Sequence, residues 1–137
     1  MTVVILDTNV LLDLFVFNDF RAIHLKEALI TKNVTALATP KTLAELADVI
    51  SRPLFSLDQA TQEQIMLQWS NLARLIPDNA LITSPWKCQD PDDQVFLDLA
   101  FTSKPCTLMS KDHEVLKFSG QATKEQVLIT ADYTLAL

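Results

Sequence analysis

Val3-Val4-Ile5-Leu6-Asp7-Thr8-Asn9 opens the chain with four apolar residues, three of them β-branched, running straight into an acid. A run this short is wrong for a core helix and suits a strand buried on both faces. Val10-Leu11-Leu12 follows as the start of a helix. The junction therefore reads as strand, acid, helix. Open α/β sheets bind ligands just beyond the carboxyl ends of their strands, which is where Asp7 would stand.

The rest of the chain repeats the alternation. Val34-Thr35-Ala36-Leu37-Ala38, Pro105-Cys106-Thr107-Leu108-Met109-Ser110 and Val127-Leu128-Ile129-Thr130 read as further strands, with Leu81-Ile82-Thr83 as a minor strand or extended linker. Strands alternating with helical stretches indicate an α/β fold with a parallel sheet and right-handed crossovers. Length favours one domain: 137 residues bury about two-thirds of the extended surface. Hydrophobic residues at 49% and charged residues at 20% describe a core-forming chain.

Composition removes several classes of function. A single glycine, Gly120, excludes the Gly-rich loops that cradle phosphates and dinucleotides. A formal net charge of -6 is wrong for a generic nucleic-acid binder. It remains compatible with nucleic-acid chemistry if carboxylates gather to hold divalent cations. Cys88 and Cys106 lack metal or redox spacing and read as reduced thiols. Without a leader or an apolar run of about 18 residues, the expectation is a soluble cytoplasmic protein with no membrane association.

Between the strands, Val10, Leu11, Leu14 and Phe15 mark a short helix. Asp19 then caps a second one to about Ile30, with Phe20, Ile23 and Ala28 inward. Thr39-Pro40 opens a third helix with Leu43, Leu46, Ala47 and Ile50 as its stripe. Glu45 lies about 150° from that stripe, facing water or a cleft. Thr61-Gln62-Glu63-Gln64 fits a capping box, beginning a helix with Ile65, Trp69, Leu72 and Ile76 on one face and Pro77 as its stop. Pro91 precedes a helix starting near Asp92, with Phe96, Leu97, Leu99, Ala100 and Phe101 as its apolar face. Lys117-Phe118-Ser119-Gly120 reads as a turn or loop, and Ala131 to Leu137 as a closing segment. His24 and His113 read as surface residues.

Asp7, Glu45, Asp93 and Asp112 fall at the ends or exposed faces of separate elements. Gathered at one end of a sheet they would repel, and divalent cations would resolve the repulsion. Mg2+ or Mn2+ takes carboxylate oxygens, keeps waters and leaves room for a phosphate. Paired ions of this kind cleave phosphodiesters. No Ser-His-Asp, Cys-His or zinc-type set competes.

These stretches resemble the PIN domain, and within it the branch of toxins from bacterial toxin–antitoxin pairs. Ile5-Leu6-Asp7-Thr8-Asn9-Val10-Leu11 is similar to the family's opening motif. Thr39-Pro40 through Glu45 to Ser51-Arg52-Pro53-Leu54-Phe55 is similar to its second acidic helix and following arginine-proline stretch. Cys88-Gln89-Asp90-Pro91-Asp92-Asp93-Gln94-Val95-Phe96-Leu97 is similar to its third motif and Ser110-Lys111-Asp112 to its fourth. Ser110-Lys111 stands where Thr-Gly is usual, Glu114 where a further aspartate is common, and Thr130-Ala131-Asp132 where Thr-Pro is common. The lysine beside the site is expected to contact phosphate or weaken metal occupancy.

The resemblance implies one nuclease domain over residues 1–137, a three-layer α/β/α sandwich around a parallel sheet of four to five strands. It implies an Mg2+- or Mn2+-dependent endoribonuclease in which Asp7, Glu45, Asp93 and Asp112 are catalytic and hold the metal. Auxiliary roles fall to Thr8, Asn9, Asp90, Ser110 and Glu114. The implied partners are an RNA substrate, a cognate antitoxin and a second copy in a homodimer. Two rivals stand beside this reading. A catalytically inactive PIN-like module would keep the acids to bind RNA or protein. A phosphatase forming an aspartyl phosphate would want Asp-x-Asp, but Asn9 fills the second place.

Overall fold

The computed structural model describes residues 2–134. Strand β1 (Thr2–Leu6) is the centre of the molecule. Val4, Ile5 and Leu6 are at most 1% exposed, so the strand is buried on both faces as its sequence demands. Helix α1 (Thr8–Phe15) follows, then a short 3₁₀ turn, Phe20–Ala22, and α2 (Ile23–Ile30). Strand β2 (Val34–Ala38) leads to α3 (Pro40–Ile50), α4 (Gln59–Leu72) and β3 (Ala73–Leu75). After a long connection come α5 (Pro91–Thr102), β4 (Cys106–Met109), α6 (His113–Leu116), α7 (Ser119–Thr123) and β5 (Val127–Thr130).

The five strands lie in the order β3-β2-β1-β4-β5 and every neighbouring pair is parallel. Side chains alternate across the pleat and divide the core in two. Val4 and Leu6 of β1, with Val34, Ala36 and Ala38 of β2, pack beneath α1 to α4. Ile5 and Leu37 face the other way, against α5, Trp86 and the Val115 and Ala122 helices. The result is the expected three-layer α/β/α sandwich with a five-stranded parallel sheet.

The chain leaves β1 first toward β2 and β3, then returns to place β4 and β5 on the opposite side. Strand order therefore reverses between β1 and β4, and the crevice beyond their carboxyl ends is the preferred ligand position in such sheets. Asp7 follows β1 there; Ser110 and Asp112 follow β4.

Caps account for the helix starts near this edge. Thr39 Oγ1 accepts the Thr42 N–H at 3.1 Å, and Thr42 Oγ1 accepts the Thr39 N–H at 2.9 Å, a reciprocal box in front of α3.

Several local expectations are corrected. Helix α4 starts two residues before Thr61, because Asp58 caps it by accepting the Thr61 N–H at 2.8 Å. It ends at Leu72 rather than at Pro77, since Ala73, Arg74 and Leu75 pair with Ala36, Leu37 and Ala38. Ile76 thus leaves the helical stripe and packs on the other side of the sheet. Of the two readings of Leu81-Ile82-Thr83 the linker is the one formed, without strand pairing. Phe20 and Ile23, expected inside, are 77% and 48% exposed. The 3₁₀ turn shifts the helical phase, and Ala22, Leu25, Ala28 and Leu29 form the inner face instead. Ser119 and Gly120 open α7 rather than a loop. Of the closing segment, residues 135–137 lie outside the described residues.

Candidate active site

Three acids of the site are also helix caps, which explains locally why the chain presents them at the sheet's end. Asp7 Oδ1 accepts the Val10 N–H at 3.1 Å and starts α1. Asp90 accepts the Asp92 N–H at 2.9 Å and starts α5, with Asp92 and Asp93 in its first turn. Asp112 accepts the Glu114 N–H at 2.9 Å and starts α6. A cap carboxylate satisfies orphan backbone donors and meets the positive end of a helix.

Tertiary packing then draws these starts together. Helix α3 brings Glu45 over the same crevice, where Glu45 Oε2 accepts the Thr8 hydroxyl at 3.0 Å. Asp7, Glu45, Asp90, Asp92, Asp93 and Asp112 line one cleft of about 340 Å³ with Thr8, Asn9, Arg52 and Phe55. The four acids expected to converge therefore do so. Asp92 joins them; its sequence position at a helix start reads as dipole stabilisation alone, so nothing local distinguishes it.

Ser110 is fully buried and anchors the centre. Its hydroxyl donates to Asp7 Oδ2 and accepts the Asp112 N–H at 3.1 Å, so one side chain connects the acids after β1 and β4. Glu114 stands outside the cleft lining, its carboxylate 2.7 Å from Lys117 Nζ. Lys111, beside the acids in sequence, does not line the cleft; its ammonium pairs with Asp13 at 2.8 Å.

The electrostatics reflect crowding. Desolvation pushes the Asp7 carboxyl up to about 6, helped by the charge of Asp112 and opposed by the hydrogen bonds from Ser110 and Val10 and by Lys111. Asp93 is pushed up to about 7, first by desolvation and then by its hydrogen bond with Asp112 and the charges of Asp112, Asp90 and Asp7. Burial raises Glu45 as well, against the Thr8 hydrogen bond and with Asp92, Asp90 and Asp7 adding to it. Each charge is thus disfavoured where it stands.

Among the described residues, no three His, Cys, Asp or Glu side chains are grouped closely enough to hold an ion as placed. Each acid instead takes a protein partner: Ser110 for Asp7, Thr8 for Glu45, Asp112 for Asp93. The donor set nonetheless fits a hard divalent cation, being all oxygen and short of compensating charge. Arg52 is the one cationic residue among the described residues lining the cleft.

An acid-lined crevice at the switch point of a five-stranded parallel sheet defines a PIN-like α/β protein. Residues 3–114 match the PIN domain, and the chain belongs to that family. PIN domains are generally nucleases and typically use divalent metals. A solved structure of VapBC2 from Rickettsia felis, bound to a DNA fragment from their promoter, shares the fold at a TM-score of 0.63 and 15% identity. The match covers 94% of this chain and 98% of that one. No curated protein matches the chain by sequence at a significant level. Among the described residues, no helix is long and apolar enough to cross a membrane.

Proposed function

We propose that the protein is a metal-dependent endoribonuclease, the toxin of a type II toxin–antitoxin pair, built as one nuclease domain over residues 1–137. The observation that carries this reading is the convergence of Asp7, Glu45, Asp93 and Asp112 on one cleft. Asp7, Glu45, Asp93 and Asp112 would hold Mg2+ or Mn2+, which when bound supplies charge stabilisation and water activation for phosphodiester hydrolysis. Thr8 orients Glu45 through its hydroxyl. Ser110 fixes the rotamer of Asp7 and the backbone of Asp112. Burial and the neighbouring Asp112 side chain raise Asp93 to about 7, so near neutral pH a proton competes with a cation for its carboxylate. Asn9 and Asp90 complete the lining.

The cellular reading follows from the same family membership. The substrate is RNA, acted on in the cytoplasm, and the protein pairs with a cognate antitoxin and with a second copy of itself. The VapBC2 assembly supports this by likeness of fold. Replacing Asp7 or Asp93 with asparagine abolishes metal-dependent RNA cleavage while the fold persists; undiminished cleavage by both variants would refute the assignment.

One observation favours a second reading, a non-catalytic RNA- or protein-binding module: each site acid is engaged by a protein partner rather than grouped as a ligand set. Calorimetry with Mn2+ followed by a cleavage assay separates the two, since a module of that kind leaves RNA intact even when the cation binds.

A further inference from the structure

The rim of the cleft is aromatic on the side of Arg52. Phe55 lines the cleft itself, at the end of the 3₁₀ turn Pro53–Phe55, where its N–H donates to Arg52 O at 3.1 Å. Ser56 follows in the left-handed region at φ 52, reversing the chain directly after the ring. Phe17 comes from a different part of the molecule, just past α1, with its N–H on Leu12 O at 2.9 Å. The two ring centroids are 6.0 Å apart with the planes inclined by 53°. Phe17 is 59% exposed and Leu54 84%, so this edge of the cleft is apolar and open.

Scarcity of positive charge makes that edge informative. Proteins that grip single-stranded nucleic acid usually combine a basic groove with aromatic platforms. This chain carries a net charge of -6, and its cleft offers one cation. Without divalent cations, the protein's own side chains therefore attract the phosphate backbone only weakly. What remains on the rim is ring surface, which stacks on any unpaired base whatever its identity. Arg52 lines the same cleft as Phe55 and the acids. Its guanidinium pairs with Asp48 at 3.0 Å, but both side chains are more than half exposed (58% and 70%), so the pair is weak and yields to a phosphate.

We propose that Phe17 and Phe55 form a stacking subsite for an unpaired nucleobase of the RNA, with Arg52 on the adjoining phosphate. The subsite rests on the ribonuclease reading and gives that reading its substrate class: single-stranded or looped RNA rather than continuous duplex. A protein segment is the competing occupant of an open aromatic edge. Continuity of the rings with the phosphate-handling acids favours the nucleic acid, because Phe55 borders both.

Fluorescence anisotropy with a labelled single-stranded RNA oligonucleotide in EDTA tests the subsite without cleavage. Phe17→Ala is expected to weaken binding by about 5- to 150-fold, the effect of losing one stacked base. Phe17→Trp restores it, and a fully paired duplex is bound equally by wild type and Phe17→Ala. Mn2+ affinity stays unchanged in Phe17→Ala. Equal single-strand affinity in wild type and Phe17→Ala overturns the proposal and leaves the edge to a protein partner; so does the absence of measurable binding by wild type. Single-strand binding that depends on Phe17 in a protein unable to cleave RNA with Mn2+ keeps the subsite and ends the ribonuclease reading. Cleavage lost in Asp7→Asn together with unchanged binding in Phe17→Ala does the reverse.

Discussion

Lys111 Nζ lies 2.8 Å from Asp13 Oδ2, and the same carboxylate oxygen accepts the Tyr133 hydroxyl. Asp13 is 3% exposed, a charged residue on the inward face of α1. The trio fastens three parts of the chain: the first helix, the turn after β4 and the segment after β5. Because Lys111 sits between Ser110 and Asp112, this ion pair holds the turn that presents the fourth acid.

Breaking the pair from one side leaves Asp13 buried with the neutral Tyr133 hydroxyl as its side-chain hydrogen-bond donor. Fully buried pairs broken this way cost about 3–5 kcal/mol, and the 38% exposure of the Lys111 side chain reduces that figure. Lys111→Met is expected to destabilise by about 1–3 kcal/mol in urea unfolding. Asp13→Asn keeps an acceptor for Tyr133 and costs less. A double-mutant cycle between positions 13 and 111 should return a coupling above about 0.5 kcal/mol; additive effects would show that the pair does not hold the turn.

The raised carboxyls set a pH dependence whose sign is fixed. Asp7 and Asp93 ionise near 3.8 when unfolded and near 6 and 7 in the fold. Between those values the folded state holds protons the unfolded state has released, so stability falls as pH rises through about 4 to 7. Asp7's share is at most on the order of 3 kcal/mol. Without divalent cations the protein should melt at a lower temperature at pH 8 than at pH 5. Mn2+ at 100 times its Kd should restore about 2.7 kcal/mol at pH 8 and far less at pH 5, where protons compete for the same oxygens. Asp7→Asn flattens the profile. A melting temperature that rises steadily from pH 5 to pH 8 without metal would contradict the crowded-acid account.

Parts of this site could be read from sequence because each is written within a few residues. A doubly buried strand ending in an acid identifies β1 and Asp7, Thr39-Pro40 marks the start of α3 with its own cap, and Pro91 marks the start of α5. Glu45 is different: its angle to the apolar stripe says only that it leaves the core, and the approach of α3 to α5 decides that it meets a cleft. Asp13 carries no local signal at all, since its partners are 98 and 120 positions away, at Lys111 and Tyr133. Edge strand β3 is three residues long, too short for periodicity to show, and α4 conceals it by running straight into it.

The loop before α5 depends on one amide. Gln94 Oε1 accepts the Cys88 N–H at 2.6 Å, while Nε2 donates to Trp86 O and Asp98 Oδ1, both at 2.9 Å. Asp98 Oδ1 also accepts the Ser84 N–H at 2.9 Å, so residues 84–88 are laced to the helix that carries Asp93. Gln94→Leu keeps roughly the volume and removes every side-chain bond from position 94. It is expected to destabilise by about 1–3 kcal/mol, the cost of orphaned polar groups. Amide exchange should accelerate first at Cys88, whose N–H loses its acceptor. Unchanged exchange there would mean that the Trp86 ring, 2% exposed against Phe101, is enough to hold the loop.

Ser110 offers the sharpest test of how the acids are kept in register. Its hydroxyl donates to Asp7 and accepts from the Asp112 backbone, and it is fully buried. Ser110→Ala removes the hydrogen bond that does most to lower the Asp7 ionisation, so that group shifts further up. A charge-assisted hydrogen bond contributes about 1.5–3 kcal/mol, which translates into roughly 10- to 150-fold weaker Mn2+ binding near neutral pH. The loss should shrink as pH rises, because alkali ionises Asp7 without help from Ser110. Ser110→Thr keeps the hydroxyl and should retain most of the affinity. Calorimetry across pH 6 to 9 distinguishes this from a packing defect, which would weaken binding equally at every pH.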